Sequence, residues 1–96
     1  MPLNAVRLGD ICTGHGSWPP RPNVGASTNV FINNLGAHRV GDPWDTHCNP
    51  VPSCHSSTQT SGSPNVYVNG KKLARIGDSI GCGSGNAEGS PNVFAN

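Results

Sequence analysis

The chain has 96 residues and a formal net charge of +1, with 11% charged residues, 13 Gly and 9 Pro. A chain of this size makes one domain, residues 1–96, whose hydrophobic core alone leaves it marginally stable, so a cross-link or a metal is expected to reinforce it. The six Lys and Arg are dispersed, with no basic cluster longer than Lys71-Lys72, which argues against nucleic acid or an anionic surface as a partner.

The low charge also argues against disorder and favours a loop-rich all-β domain. The opening "MPLNAVRLGD" lacks the apolar run of a signal peptide, and no stretch is long enough to cross a bilayer. Synthesis in the cytoplasm without a signal peptide is therefore expected.

Along the chain, two short elements alternate. The first is "AVRLGD" at 5–10, "AHRVGD" at 37–42 and "LARIGD" at 73–78, and the second is "STNVFIN" at 27–33, "SPNVYVN" at 63–69 and "SPNVFAN" at 90–96. We call them the GD and NV elements. Such self-similarity is the mark of a repeat, here a threefold one.

In each NV element the alternation places Val30 and Ile32, Val66 and Val68, or Val93 and Ala95 on one strand face, with Phe31, Tyr67 and Phe94 on the other. Asn69-Gly70 is a strong two-residue hairpin signal, and Asn33-Asn34 holds the matching place. Each NV strand is thus predicted to pair antiparallel with the GD segment that follows. The first GD segment has no NV strand before it and the last NV strand has no GD segment after it, so the two termini are predicted to pair and close a pseudo-threefold ring. An open edge at either end would favour aggregation.

The Gly of each GD step is expected to bend the chain, with Asp10, Asp42 and Asp78 hydrogen-bonding the turn and Arg7, Arg39 and Arg75 pairing with them at the surface. Cys12 stands at the offset of Trp44 and Ile80, an apolar position. The segment "WPPRP" at 18–22 contains a Pro-x-x-Pro spacing that suits an SH3-type groove, but it reads more simply as a stiff loop wall.

The loops between GD and NV elements carry nearly all the His and Cys. His15 and His47 stand five residues after Asp10 and Asp42, and Cys82 stands four after Asp78. Around a pseudo-threefold axis these three converge, and His55 in the longest loop completes a tetrahedron. Imidazole and thiolate in a closed four-coordinate shell suit a structural Zn²⁺. Cys48 and Cys54 remain alternatives to their neighbours His47 and His55, whereas His38 aligns with Val6 and Ala74, positions without a donor.

Two other functional classes compete with this reading. Four cysteines could form two disulfides in a secreted binding module. A zinc hydrolase would need an open coordination position and a general base. A Cys-His nucleophilic pair has no signalled orienting group or oxyanion hole.

The pieces "AVRLGDICTGHG", "AHRVGD", "VYVNGKKLARIGDSIGCG" and "GSPNVFAN" together resemble the PAAR-repeat family over almost the whole chain. The family's Pro-Ala-Ala-Arg signature is here "Gly36-Ala37-His38-Arg39" and "Lys72-Leu73-Ala74-Arg75", without the proline. The resemblance implies a small cone of short β-hairpins, stapled near its point by one Zn²⁺ on His15, His47, His55 and Cys82. It further implies a non-enzymatic tip that caps a trimeric β-helical spike, either the VgrG trimer of type VI secretion or a phage baseplate spike. One monomer would sit on one trimer and contact a target membrane transiently.

Overall fold

A computed structural model of the protein describes residues 2–96. Among them there is no helix, and eight two-residue strands pair into four antiparallel ribbons. Two are the predicted hairpins: β2 (Phe31–Ile32) with β3 (Leu35–Gly36), and β6 (Tyr67–Val68) with β7 (Lys71–Lys72). Their turns need left-handed backbone, which Asn33 (φ 53°), Asn34 (φ 66°), Asn69 (φ 54°) and Gly70 (φ 78°) supply.

The termini close as expected. β1 (Leu3–Asn4) pairs with β8 (Phe94–Ala95) in the register Leu3 with Ala95 and Asn4 with Phe94. The contact repeats threefold: the Ala37, Leu73 and Ala5 N–H groups donate to the Val30, Val66 and Val93 carbonyls, each at 3.0 Å. The chain's two ends thus build the third hairpin from separate pieces.

What joins the hairpins within this ring is direct pairing among the three GD segments, which the hairpin pattern did not announce. Val6 N–H donates to the Ala74 carbonyl (3.0 Å), Ala74 N–H to that of His38 (2.9 Å), and His38 N–H to that of Val6 (3.0 Å). Each GD segment therefore pairs with both others around the axis. Only small or flat side chains fit there, and Val6, His38 and Ala74 are all fully buried.

Two apolar layers flank this ring. One joins Ala5, Ile32, Ala37, Val68, Leu73 and Ala95 beneath the hairpins. The other is Cys12, Trp44 and Ile80, with Cys82 against it, which is the equivalence the repeat offset gave for Cys12. On the outer strand face Phe31, Tyr67 and Phe94 are 60%, 56% and 53% exposed, so they belong to the surface and not to the core.

Each GD turn is locked in the same way. Asp10 Oδ2 accepts from the Arg7 N–H (2.8 Å) and Nε (3.0 Å), while Oδ1 accepts from Nη2 (3.0 Å). Asp42 with Arg39 and Asp78 with Arg75 repeat the set at 2.8–2.9 Å. Gly9, Gly41 and Gly77 sit at φ 88°, 92° and 91°, where a side chain would be strained. The carboxylates are buried, so these pairs are partly desolvated brackets and not the surface pairs expected.

Candidate metal centre

The donors arrive on loops that are each held by their own local chemistry. His15 begins a tight turn in which its N–H donates to the Trp18 carbonyl (3.0 Å) and the Trp18 N–H returns to that of His15 (2.8 Å). His47 and His55 lie opposite each other on a fourth ribbon, β4 (His47–Cys48) with β5 (Cys54–His55). Cys82 closes a turn in which Gly83 N–H donates to the Ile80 carbonyl (3.0 Å).

The β4–β5 ribbon was not foreseen. Its connecting loop is organised by Asn49, whose Oδ1 accepts from the N–H groups of Ser53 (2.6 Å) and Val51 (3.3 Å). A disulfide joins Cys48 to Cys54 across the ribbon, with Cα atoms 4.1 Å apart. Cys12 and Cys82 are free thiols. This corrects two alternatives: Cys48 and Cys54 cannot replace His47 or His55 as thiolate ligands, and a module stapled by two disulfides does not form.

One ligand atom from each of His15, His47, His55 and Cys82 lies within 4.8 Å of the others. The three Nε2 atoms stand 2.6 Å (His47 to His55), 3.0 Å (His15 to His55) and 3.2 Å (His15 to His47) apart. His47 Nδ1 is 2.8 Å from the Pro19 carbonyl. A carbonyl only accepts, so Nδ1 is the donor in this contact and Nε2 is the ring atom left to face the centre as a ligand. The stiff Pro-rich wall thereby selects the tautomer that a metal ligand requires.

Burial, the neighbouring imidazoles and Arg21 hold His15 and His55 below the ordinary imidazole value. Burial pushes the Cys82 thiol up, but hydrogen bonds with Ser84 and Arg21 outweigh it and leave the thiol below its ordinary value. Three imidazoles facing one another through Nε2, beside a thiol held below its ordinary value, are a donor set of the kind that holds a metal ion. Nε2 atoms around tetrahedral Zn²⁺ would lie about 3.3 Å apart for Zn–N bonds of about 2.0–2.1 Å, wider than the 2.6–3.2 Å found, so a bound ion would spread the three rings slightly.

The fourth histidine is elsewhere. His38 is buried in the ring, with Nδ1 2.7 Å from the Gly25 carbonyl and its ring edge-on to Trp44. Three other residues escaped the sequence reading. Trp18 lies beside His15 and His55 with ring centroids 5.1 and 5.0 Å away, and its Nε1 donates to the Ser53 carbonyl at 2.8 Å. Asn23 and Asn86 are buried amides that donate to the Arg7 and Arg75 carbonyls beneath the GD turns, both at 2.8 Å. A register check would have found the last two, since each stands four residues before the Ser of its NV element, Ser27 and Ser90.

Comparison with known proteins agrees with this architecture. In an 84-residue alignment that covers 78% of the chain, it is 34% identical to the NAD(P)(+) glycohydrolase toxin Tse6 of Pseudomonas aeruginosa (strain PAO1). It is also 34% identical over 84 residues to the (p)ppApp synthetase toxin Tas1 of Pseudomonas aeruginosa (strain UCBPP-PA14). The matched part spans about a fifth of each relative, 20% and 19%. Residues 13–86, which include all four converging donors, match the PAAR motif, and the chain belongs to the PAAR-motif family.

Proposed function

We propose that the protein is a zinc-stapled spike tip: a single domain over residues 1–96 that caps a trimeric β-helical spike and leads it through a target membrane. The observation that carries this reading is the convergence of His15, His47, His55 and Cys82 within 4.8 Å. A point made of loops has almost no core of its own, and a four-coordinate ion would join loops from all three repeats. Zn²⁺ supplies cross-linking there. With four protein donors it keeps no open position for a substrate or water, which supports a non-enzymatic role over a hydrolase.

The other end of each repeat supports the partner. Phe31, Tyr67 and Phe94 occupy equivalent, exposed positions on three hairpins. A near-threefold apolar set suits a threefold partner such as a VgrG trimer or a phage baseplate spike. The relatives are toxins many times longer than the matched segment, which favours the secretion setting, where a tip travels with cargo.

The test is co-purification with a candidate trimeric β-helical spike, together with elemental analysis of the product. One chain per spike trimer and about one zinc per chain are expected. Folded chain without metal, or a chain indifferent to every such spike, would defeat the corresponding half of the proposal.

A further inference from the structure

Arg21 breaks the repeat. The N–H of Cys12 donates to its carbonyl (3.0 Å), as that of Trp44 does to Ser57 and that of Ile80 to Ser84, both at 2.9 Å. A small hydroxyl residue thus holds this position in two repeats and an arginine holds it in the third. Arg21 is only 4% exposed, yet the ion pairs among the described residues are the three Arg–Asp brackets, and Arg21 is in none. A buried guanidinium without a compensating acceptor is costly.

Its acceptors are unusual. Nη1 donates to Cys12 Sγ at 3.0 Å, Nη2 to Cys82 Sγ at 3.2 Å, and Nε to the Asp45 carbonyl at 2.9 Å, while the guanidinium carbon stands 5.2 Å from the Trp44 ring centroid. Cys12 belongs to the loop of the first repeat, Asp45 to that of the second, two residues before His47, and Cys82 to that of the third. One planar fork therefore grips all three loops directly beside the donor cluster. Only arginine has donors spaced for this, because a lysine ammonium is a point charge that cannot span two sulfurs and a carbonyl while stacking on an indole.

We propose that Arg21 is the positioning residue of the metal centre: its Nη2 holds the Cys82 sulfur in line with the three imidazoles, and its Nη1 and Nε anchor that grip to the other two loops. This rests on the reading of His15, His47, His55 and Cys82 as a metal site. Groups that orient metal ligands in this way typically contribute 10–100-fold to metal affinity.

The test measures Zn²⁺ affinity by competition with a chromophoric chelator, and records the visible spectrum of the Co²⁺-loaded protein, for the wild type, Arg21→Met and Arg21→Lys. Both variants are expected to bind zinc about 10–100-fold more weakly, with a weakened or shifted thiolate-to-cobalt charge-transfer band. A residue that only packs against Trp44 would alter stability but leave that band unmoved, and methionine would largely restore it. Zinc binding as tight as, or tighter than, the wild type with an unchanged band overturns the proposal. If Arg21→Met does not fold, Cys12→Ala decides, since it removes the outer anchor without touching a ligand. A smaller loss in the same direction upholds the grip, and unchanged affinity overturns it. Failure of the wild type to bind either metal would strike the metal reading itself, a result distinct from any difference between variants.

Discussion

The ring and the loop end of this protein solve the same problem, holding three chain segments together, by opposite means. In the ring, three nearly identical GD segments satisfy one another through backbone hydrogen bonds and Arg–Asp brackets, and threefold symmetry survives almost intact. At the loop end the symmetry is gone: two donors come from one ribbon, one from a tight turn and one from a cysteine turn, with a disulfide and Arg21 on one side only. Where the backbone can close its own hydrogen bonds, repetition is stable. Where it cannot, particular side chains take over and each loop becomes individual.

The strongest way to break this contrast is to strip the proposed zinc. A tight chelator is expected to destabilise the protein by at least about 5 kcal/mol, part of the roughly 10–16 kcal/mol that structural zinc supplies in small modules. Hydrogen exchange should show the loss concentrated at His15, His47, His55 and Cys82, while the ring amides of Val6, His38 and Ala74 stay protected. Equal loss of protection in both places would mean that ring and loop end form one cooperative unit.

Cutting the covalent link should come next. Cys48 and Cys54 are six residues apart in sequence, and closing so short a loop is worth about 2 kcal/mol in the chain-entropy view. The Cys48→Ser, Cys54→Ser double variant is expected to lose about that much in urea unfolding while retaining zinc, because His47 and His55 remain opposed on the ribbon. Loss of zinc as well would show that the disulfide, and not the ribbon, sets their spacing.

The ring offers a test of equivalence. Replacing Asp10, Asp42 or Asp78 by Asn removes a charge-assisted bracket that is partly open to solvent, with Arg side chains 14–15% exposed. Each should cost about 1–2 kcal/mol after allowance for solvent screening, and the three costs should agree within about 0.5 kcal/mol if the repeats are energetically interchangeable. Denaturant titration of the three variants decides it.

How legible each end was in the sequence follows the same contrast. Turn chemistry is local, so the Arg-x-Gly-Asp steps, the Asn-Gly turn and the terminal closure could be read from a few neighbouring residues. The register also put His15, His47 and Cys82 at matching offsets and set Cys12 with Trp44 and Ile80, which do share a layer. Arg21, Trp18 and the Cys48–Cys54 ribbon left no such signal, because they act through contacts that only the folded loops create. Arg21 even stands where the other repeats have serine, so the repeat pointed away from it. The aromatic residues of the NV strands could have faced either way, and the strand face settles them outward.

The smallest effect expected belongs to His38, which lies where the two ends meet. Burial holds its imidazole below the ordinary value of 6.5, against the opposing pull of the Gly25 carbonyl and Asp42. With Nδ1 donating to Gly25, Nε2 is buried without a hydrogen-bond partner, and the side chain of Gln59, which would favour a proton on the ring, is outweighed by burial. The folded state therefore binds this proton less readily than the unfolded chain. Its contribution to stability is fully present above 6.5 and is lost as pH falls through the depressed folded value. His38→Asn keeps a donor for Gly25 but cannot titrate. In metal-loaded protein, where wild type and variant carry the same ligands, unfolding free energy should fall less steeply below pH 6.5 in the variant. Parallel curves would place the acid sensitivity wholly at the metal centre and leave the ring indifferent to pH.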